Sequence, residues 1–292
     1  MNVATEEFFS VLAPAEQRVP FVFNSPHSGS NYPPSLVAAS RLTPHTLRMS
    51  EDVLVDRLFD SVVMIGAPLL RAHFPRAWLD VNREPYELDP KLFREKLPAH
   101  ANTRSIRVAG GLGTVPRLVS ENLPIYEIPP TLADGMERIE QVYRPYHETL
   151  RKLIAQSVVQ FGYGVLVDCH SMPSSDSKSE QKVRPDIIVG DRYGTSCNGE
   201  ISGCLIDQFS ALGYTVARNK PYAGGFITEH YGRPLKGLHA VQVEINRALY
   251  IDEATLQPHE GFEKLRLDIR QVISNLVSLP DSGFFADPIA AE

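Results

Sequence analysis

Val165-Leu166-Val167-Asp168-Cys169-His170-Ser171 is an apolar run that turns polar at its carboxyl end, and Val22-Phe23-Asn24-Ser25-Pro26-His27-Ser28-Gly29 is built the same way. Short runs rich in Val and Leu, bounded by small residues, read as strands buried on both faces of a parallel sheet. Ligands of open α/β sheets gather outside the carboxyl ends of such strands. Each stretch therefore delivers one histidine, His27 or His170, to the edge where chemistry is expected. Either histidine alone is as well explained as a loop cap; the two together, with acids nearby, form a candidate metal pair.

Working outward, the same reading predicts strands at Pro20–Phe23, Pro68–Ala72, Ala77–Val81, Gly164–Val167, Asp186–Val189, Tyr214–Ala217 and His239–Ile245. Helical spacing of apolar residues lies between them: Val55, Leu58, Phe59 and Val62; then Ile139, Val142, Tyr143, Tyr146, Leu150, Leu153 and Ile154; later Leu265, Ile269, Val272 and Val277. Strands alternating with helices predict an α/β fold, a three-layer sandwich around a mixed, largely parallel sheet. The stretch 84–130, with scattered Pro, Gly and Asn, is the least regular. Long irregular insertions in compact domains tend to shape binding sites, so residues 1–292 read as one domain with an elaborated rim.

The chain has 292 residues, is 43% hydrophobic, carries a net charge of -6 and contains three cysteines. That length supports a sizeable core. With no dense Lys/Arg run, nucleic acid is not expected as a partner, because phosphate neutralisation needs a basic surface. No leader pattern and no run of apolar residues long enough to span a bilayer are present, so neither secretion nor membrane insertion is expected. Cys169, Cys197 and Cys204 form neither a zinc-site spacing nor a disulfide framework, which suits a reducing cytoplasm. Nothing in the sequence bears on oligomeric state.

His27 lies in a turn made tight by Pro26 and Gly29, with small neighbours that leave its ring accessible. Asp52 opens a helical pattern, where its carboxylate either caps the helix or projects to the sheet edge. Asp168 shares a strand face with His170 and can orient that ring or ligate directly. Two histidines, one carboxylate and a water match the open arrangement of catalytic zinc, although no H-E-x-x-H signature is present. Glu244 sits in the apolar run His239–Ile245 with Gln242 on the same face. It is either a general base or part of a wet strand face. Arg76, Arg83, Arg233 and Arg247 add cations suited to an acidic substrate, since arginine grips carboxylates bidentately.

Taken in order, several blocks resemble the N-formylglutamate amidohydrolase family. They are Ser25-Pro26-His27-Ser28-Gly29, Asp52 with Val55-Asp56-Arg57-Leu58, Asp80-Val81-Asn82-Arg83, Asp168-Cys169-His170-Ser171, Pro185 to Asp191, Gly224 to Thr228 with His230-Tyr231-Gly232, and Gln242-Val243-Glu244. The resemblance implies a phosphorylase/hydrolase-like fold of the zinc carboxypeptidase kind. It also implies a strand glutamate as general base, here Glu244, and an Asn-Arg pair holding substrate carboxylate, here Asn82 and Arg83. Related zinc enzymes take two ligands from an H-x-x-E unit, whereas Ser30 stands three residues after His27. The carboxylate ligand is then expected from Asp52, with Glu51 in reserve.

The reading so assembled is a metal-dependent amidohydrolase of N-acylated acidic amino acids, N-formyl-L-glutamate first among them, in the histidine-degradation setting of the family. His27, Asp52 and His170 would hold Zn2+ or another divalent ion. Glu244 would be the base, Arg76 would stabilise the oxyanion or bind carboxylate, and Asn82, Arg83 and Arg233 would bind substrate. Two alternatives stay open: a deacylase or carboxypeptidase for another N-acyl amino acid, and a non-catalytic binder of acidic metabolites.

Overall fold

The computed structural model describes residues 8–120, 122–175 and 184–279. Among them the main sheet has seven strands in the order β1-β3-β2-β6-β9-β7-β8. In chain order the strands are β1 (Phe9–Leu12), β2 (Phe21–Ser25), β3 (Leu69–Ala72), β4 (Leu118–Ser120), β5 (Leu123–Pro124), β6 (Gly164–Met172), β7 (Ile187–Gly190), β8 (Val216–Arg218) and β9 (Leu238–Asn246). The short β4 and β5 form a separate hairpin. β2, β6 and β9 run parallel, β7 runs against β9, and β8 is parallel to β7.

Helices α1 (Pro34–Ala39), α2 (Pro44–Leu47), α3 (Val55–Leu58), α4 (Val62–Ile65) and α5 (Ile106–Ala109) are short. α6 (Leu132–Arg138) continues through a π turn, Ile139–Tyr143, into α7 (Arg144–Phe161). α8 (Gly199–Ala211), α9 (Phe226–Tyr231) and α10 (Gly261–Leu276) complete the set.

The chain packs as two compact units. Of the described residues, one gathers those up to Ser10, Pro26–Asp52 and Arg71–Arg151; the other gathers Val11–Ser25, Val53–Leu70 and those from Lys152 to Leu279. In the second unit, Phe21, Phe23, Val165, Val167, Cys169, Val241, Val243 and Ile245 form one sheet face, packed with apolar residues of α3, α8 and α10. On α10, Leu265, Ile269, Val272, Ile273 and Leu276 recur at helical spacing and are all buried, each worth about 1.5–3 kcal/mol against exposure. The opposite face carries Asn24, Asp168, His170, Gln242 and Glu244, and α9 lies on that side, since the Gly225 N–H before it donates to Gln242 Oε1. Helices on both faces of a mostly parallel sheet make the three-layer α/β arrangement.

The first unit has an aromatic core in which Phe9, Phe74 and Tyr146 meet edge to face, with ring centroids 5.4 and 6.1 Å apart. The helix that supplies Tyr146 also fixes the loop Trp78–Arg83. Arg138 donates to the Trp78 carbonyl at 3.0 Å, Tyr143 to that of Arg83 at 2.6 Å and His147 to that of Val81 at 2.8 Å. Arg138 and Tyr143 are five residues apart, one more than a regular α turn would align. The π turn between them supplies the extra residue.

Two expectations change here. Ala77–Val81 is no strand: the Trp78 and Leu79 N–H groups both turn back to the Pro75 carbonyl, and that of Asp80 donates to Thr114. A short buried apolar run satisfies its backbone through loop partners as readily as through a ladder. The edge strand β1, four residues long, carried too little pattern to be read.

Candidate functional site

His27 follows β2 by two residues. Its turn is constrained at Gly29, where a Cβ would run into the Phe74 carbonyl. The imidazole is buried, with Nε2 2.8 Å from Asp80 Oδ1 and Nδ1 3.5 Å from Asp52 Oδ2. Asp52 does not cap a helix. α3 starts only at Val55, after Leu54 in the left-handed region at φ 59°, and the Asp52 N–H instead donates to the His27 carbonyl at 2.9 Å. That backbone bond turns the carboxylate toward the ring. Glu51 faces otherwise: both its oxygens accept from Arg48, each at 2.9 Å.

His170 stands inside β6, which extends to Met172. Its Nε2 lies 2.8 Å from Asp168 Oδ2, while Asp168 Oδ1 accepts from Asn24 Nδ2 at 2.8 Å. The strand register makes Asn24 and Asp168 neighbours, and likewise His170 and Glu244. Gln242 Nε2 donates to Glu244 Oε1 at 2.7 Å. This face is not wet: Gln242 is 4% exposed and Glu244 9%, so a carboxylate has been placed where its desolvation is costly. Cys169 points to the other face. Burial, then the neighbouring Asp168, push its thiol well above the usual range.

His27, Asp52 and His170 each offer one ligand atom, these atoms lie within 4.8 Å of one another, and all three residues are buried. In both rings Nε2 is engaged by a carboxylate, so Nδ1 is the atom each would contribute. A carboxylate behind a histidine is the support that metal-ligating imidazoles usually have, and the donor set fits a divalent cation.

Asp80, quoted above without a role, is a hub for the polar side chains of its own unit. Its Oδ1 also accepts the Asn82 N–H at 2.8 Å, and its Oδ2 meets Arg76 Nε at 3.0 Å and Arg83 Nη2 at 3.3 Å. Burial opposes ionisation, but Arg83, Arg76 and His27 outweigh it and hold the carboxyl well below the usual range. An acid between two core residues, Leu79 and Val81, was the available signal. Arg83 is 7% exposed and also donates to the carbonyls of Leu112 and Asn82, both at 2.7 Å. Three of its five N–H groups are thereby used, leaving one on each terminal nitrogen.

Arg233 is not brought to this group. It bridges Leu238, at the start of β9, and its Nη1 donates to the carbonyls of Glu229 and Gly232 at 2.5 and 2.6 Å. Glu244 lies six steps along the strand from Leu238, about 20 Å at 3.3 Å per residue. Arg247 lies at the other end of β9 and donates to Ser171 Oγ at 3.1 Å.

A family model, N-formylglutamate amidohydrolase, matches residues 19–251, a span that holds every residue of this group. The chain belongs to the N-formylglutamate amidohydrolase family. The N-formylglutamate deformylase of Pseudomonas aeruginosa is 30% identical over 273 residues, covering 92% of this chain and 96% of that one. The enzyme of the same name from Pseudomonas putida is also 30% identical, over 91% and 94% of the two chains. The crystal structure of N-formylglutamate amidohydrolase from Ralstonia eutropha superposes with a TM-score of 0.87 at 32% identity, covering 92% of this chain and 97% of that one. A gene product of Agrobacterium tumefaciens shares the fold at 18% identity with a TM-score of 0.66. Among the described residues, no helix of this family member is long and apolar enough to cross a membrane.

Proposed function

We propose that the protein is a metal-dependent amide hydrolase that converts N-formyl-L-glutamate and water to formate and L-glutamate, the deformylation step of histidine degradation. The observation that carries this reading is the register of β6 on β9, which sets Glu244 beside His170 on a buried, polar sheet face. In this reading His27, Asp52 and His170 hold zinc or another divalent ion. Such an ion, when bound, acts as a Lewis acid on the acyl carbonyl.

Glu244 takes a proton from the attacking water as the water oxygen bonds to the formyl carbon, and returns it to the glutamate nitrogen as the C–N bond breaks. Gln242 Nε2 donates to Glu244 Oε1 and so orients the carboxylate for this transfer. Asn82 and Arg83 bind a substrate carboxylate through the remaining guanidinium N–H groups, and Arg76 stabilises the developing oxyanion or assists that carboxylate. A formyl group offers little to grip, so affinity comes from the acidic part of the substrate. The irregular stretch that follows Arg83 forms the rim of the site, and the three free cysteines suit a reducing, cytoplasmic setting.

Formate release from N-formyl-L-glutamate tests the reading. Chelation is expected to abolish it and zinc to restore it, and Glu244→Gln is expected to keep metal and substrate while losing most turnover. Full activity in metal-free protein, or unchanged turnover in the variant, overturns the mechanism. Faster hydrolysis of acetyl or succinyl amino acids, read by release of the free amino acid, would favour a deacylase of another acyl group.

A further inference from the structure

A dicarboxylic substrate needs two cationic contacts: Asn82 and Arg83 supply one in the proposed mechanism, and a second has to lie within a substrate's length of them. The segment after Arg83 supplies one. α5 is a single turn capped by Ser105, whose Oγ accepts the Val108 N–H at 3.1 Å. The chain then folds back so that Leu112 N–H donates to the Arg107 carbonyl at 2.8 Å, while the Leu112 carbonyl accepts from Arg83 Nε at 2.7 Å. One residue thus joins the Arg107 backbone to the Arg83 guanidinium. Thr114 pins the same turn, donating to the Glu87 carbonyl at 2.9 Å and accepting the Asp80 N–H at 2.8 Å.

Arg107 is half-buried and, among the described residues, its side chain makes no hydrogen bond or ion pair. It is nevertheless close enough to repel Arg83. Burial, then Arg76 and Arg107, lower the Arg83 guanidinium to about 10 against the attraction of Asp80 and Glu87. Arg76, Arg83 and Arg107 thus set three positive charges against the two negative ones of Asp80 and Glu87, and Asp80 already has both oxygens engaged. Holding like charges together in a partly desolvated site is unfavourable unless an anion arrives to share them.

Resting on the amidohydrolase reading above, we propose that Arg107 determines specificity by pairing with the side-chain carboxylate of the substrate while Asn82 and Arg83 hold the α-carboxylate. The site then selects N-acyl derivatives of acidic amino acids over those of neutral ones.

The test compares N-formyl-L-glutamate with N-formyl-L-glutamine, which differ only in the charge of the side-chain terminus, in the wild type, Arg107→Gln and Arg107→Lys. For the glutamate compound Arg107→Gln should lower kcat/KM by roughly 30-fold, mostly through KM, with less than about 3-fold change for the glutamine compound. Arg107→Lys should regain much of the preference. An equal loss on both substrates, or no loss, overturns the assignment. If the wild type hydrolyses neither compound, calorimetry with N-formyl-L-glutamate decides. Binding weakened in Arg107→Gln keeps the role of Arg107 and sinks only the hydrolytic reading, whereas equal binding sinks Arg107.

Discussion

His27 and His170 both lie toward the carboxyl ends of adjacent parallel strands, one two residues past β2 and the other inside β6, yet the carboxylates behind them differ. Asp168 is on the same strand as its histidine, and its second oxygen takes a neutral amide from Asn24 on the next strand. Asp80 is on a loop, and its second oxygen is shared by two arginines. The first arrangement is a fixed bracket. The second ties the imidazole to the cations that the proposed mechanism uses for substrate. One histidine is thus held by the sheet alone, and the other by a loop carboxylate that also carries two arginines.

The largest effects test what the two histidines have in common. His27→Ala and His170→Ala should each remove stoichiometric metal, read by metal analysis of purified protein, and lower kcat/KM by about 1,000-fold or more. A variant that keeps both metal and activity would take its histidine out of the centre.

The next pair tests the difference. Asp80→Asn and Asp168→Asn should each weaken metal binding by about 10- to 100-fold. Only Asp80→Asn should also raise KM at saturating zinc, because it frees Arg76 and Arg83 from their shared anchor. Equal KM values in the two variants would break the proposed coupling. Asn24→Ala is a smaller perturbation. It strips one buried hydrogen bond from Asp168 and should cost about 1–3 kcal/mol in denaturant unfolding, with KM unchanged.

The smallest effect concerns pH. The Asp80 carboxyl lies well below its ordinary value in the folded protein, so its stabilising contribution is complete above about pH 4 and fades as pH falls toward its own depressed value. The stability gap between wild type and Asp80→Asn should therefore be flat from pH 5 to 8 by urea titration and narrow only below about pH 4. A gap that closes near neutrality would assign the pairing to another group.

How much of this was legible in the sequence depended on whether a residue's partners lie on its own element. β2, β6 and β9 were readable because strands buried on both faces have to be apolar, and the intrusions of Asp168, His170 and Glu244 stood out against that background. Asp168 behind His170 followed from strand periodicity alone. Asp80 behind His27 did not, because 53 residues separate them and the loop that joins them is held by a helix further on. Asp52 follows in the sequence only from the missing H-x-x-E unit, and the helix it would cap starts later, at Val55. The backbone bond that aims it at His27 has no sequence signature. Arg233 was grouped with the other arginines by type, and only the register of β9 shows that it stands at the wrong end of the strand. Arg107 lay in a segment without periodicity, where pattern carries no spatial information.

The π turn at Ile139–Tyr143 has a consequence for how this protein can change. Each residue of an α-helix advances about 100° around the axis, so deleting one residue from that turn would rotate Arg138 by that angle relative to Tyr143 and His147. The three carbonyls of the Asp80 loop would lose their common support although every side chain in the site was still present. Substitutions along the helix can be absorbed one at a time; a change of length there cannot. The reading frame of that turn is as much a part of the site as the histidines are.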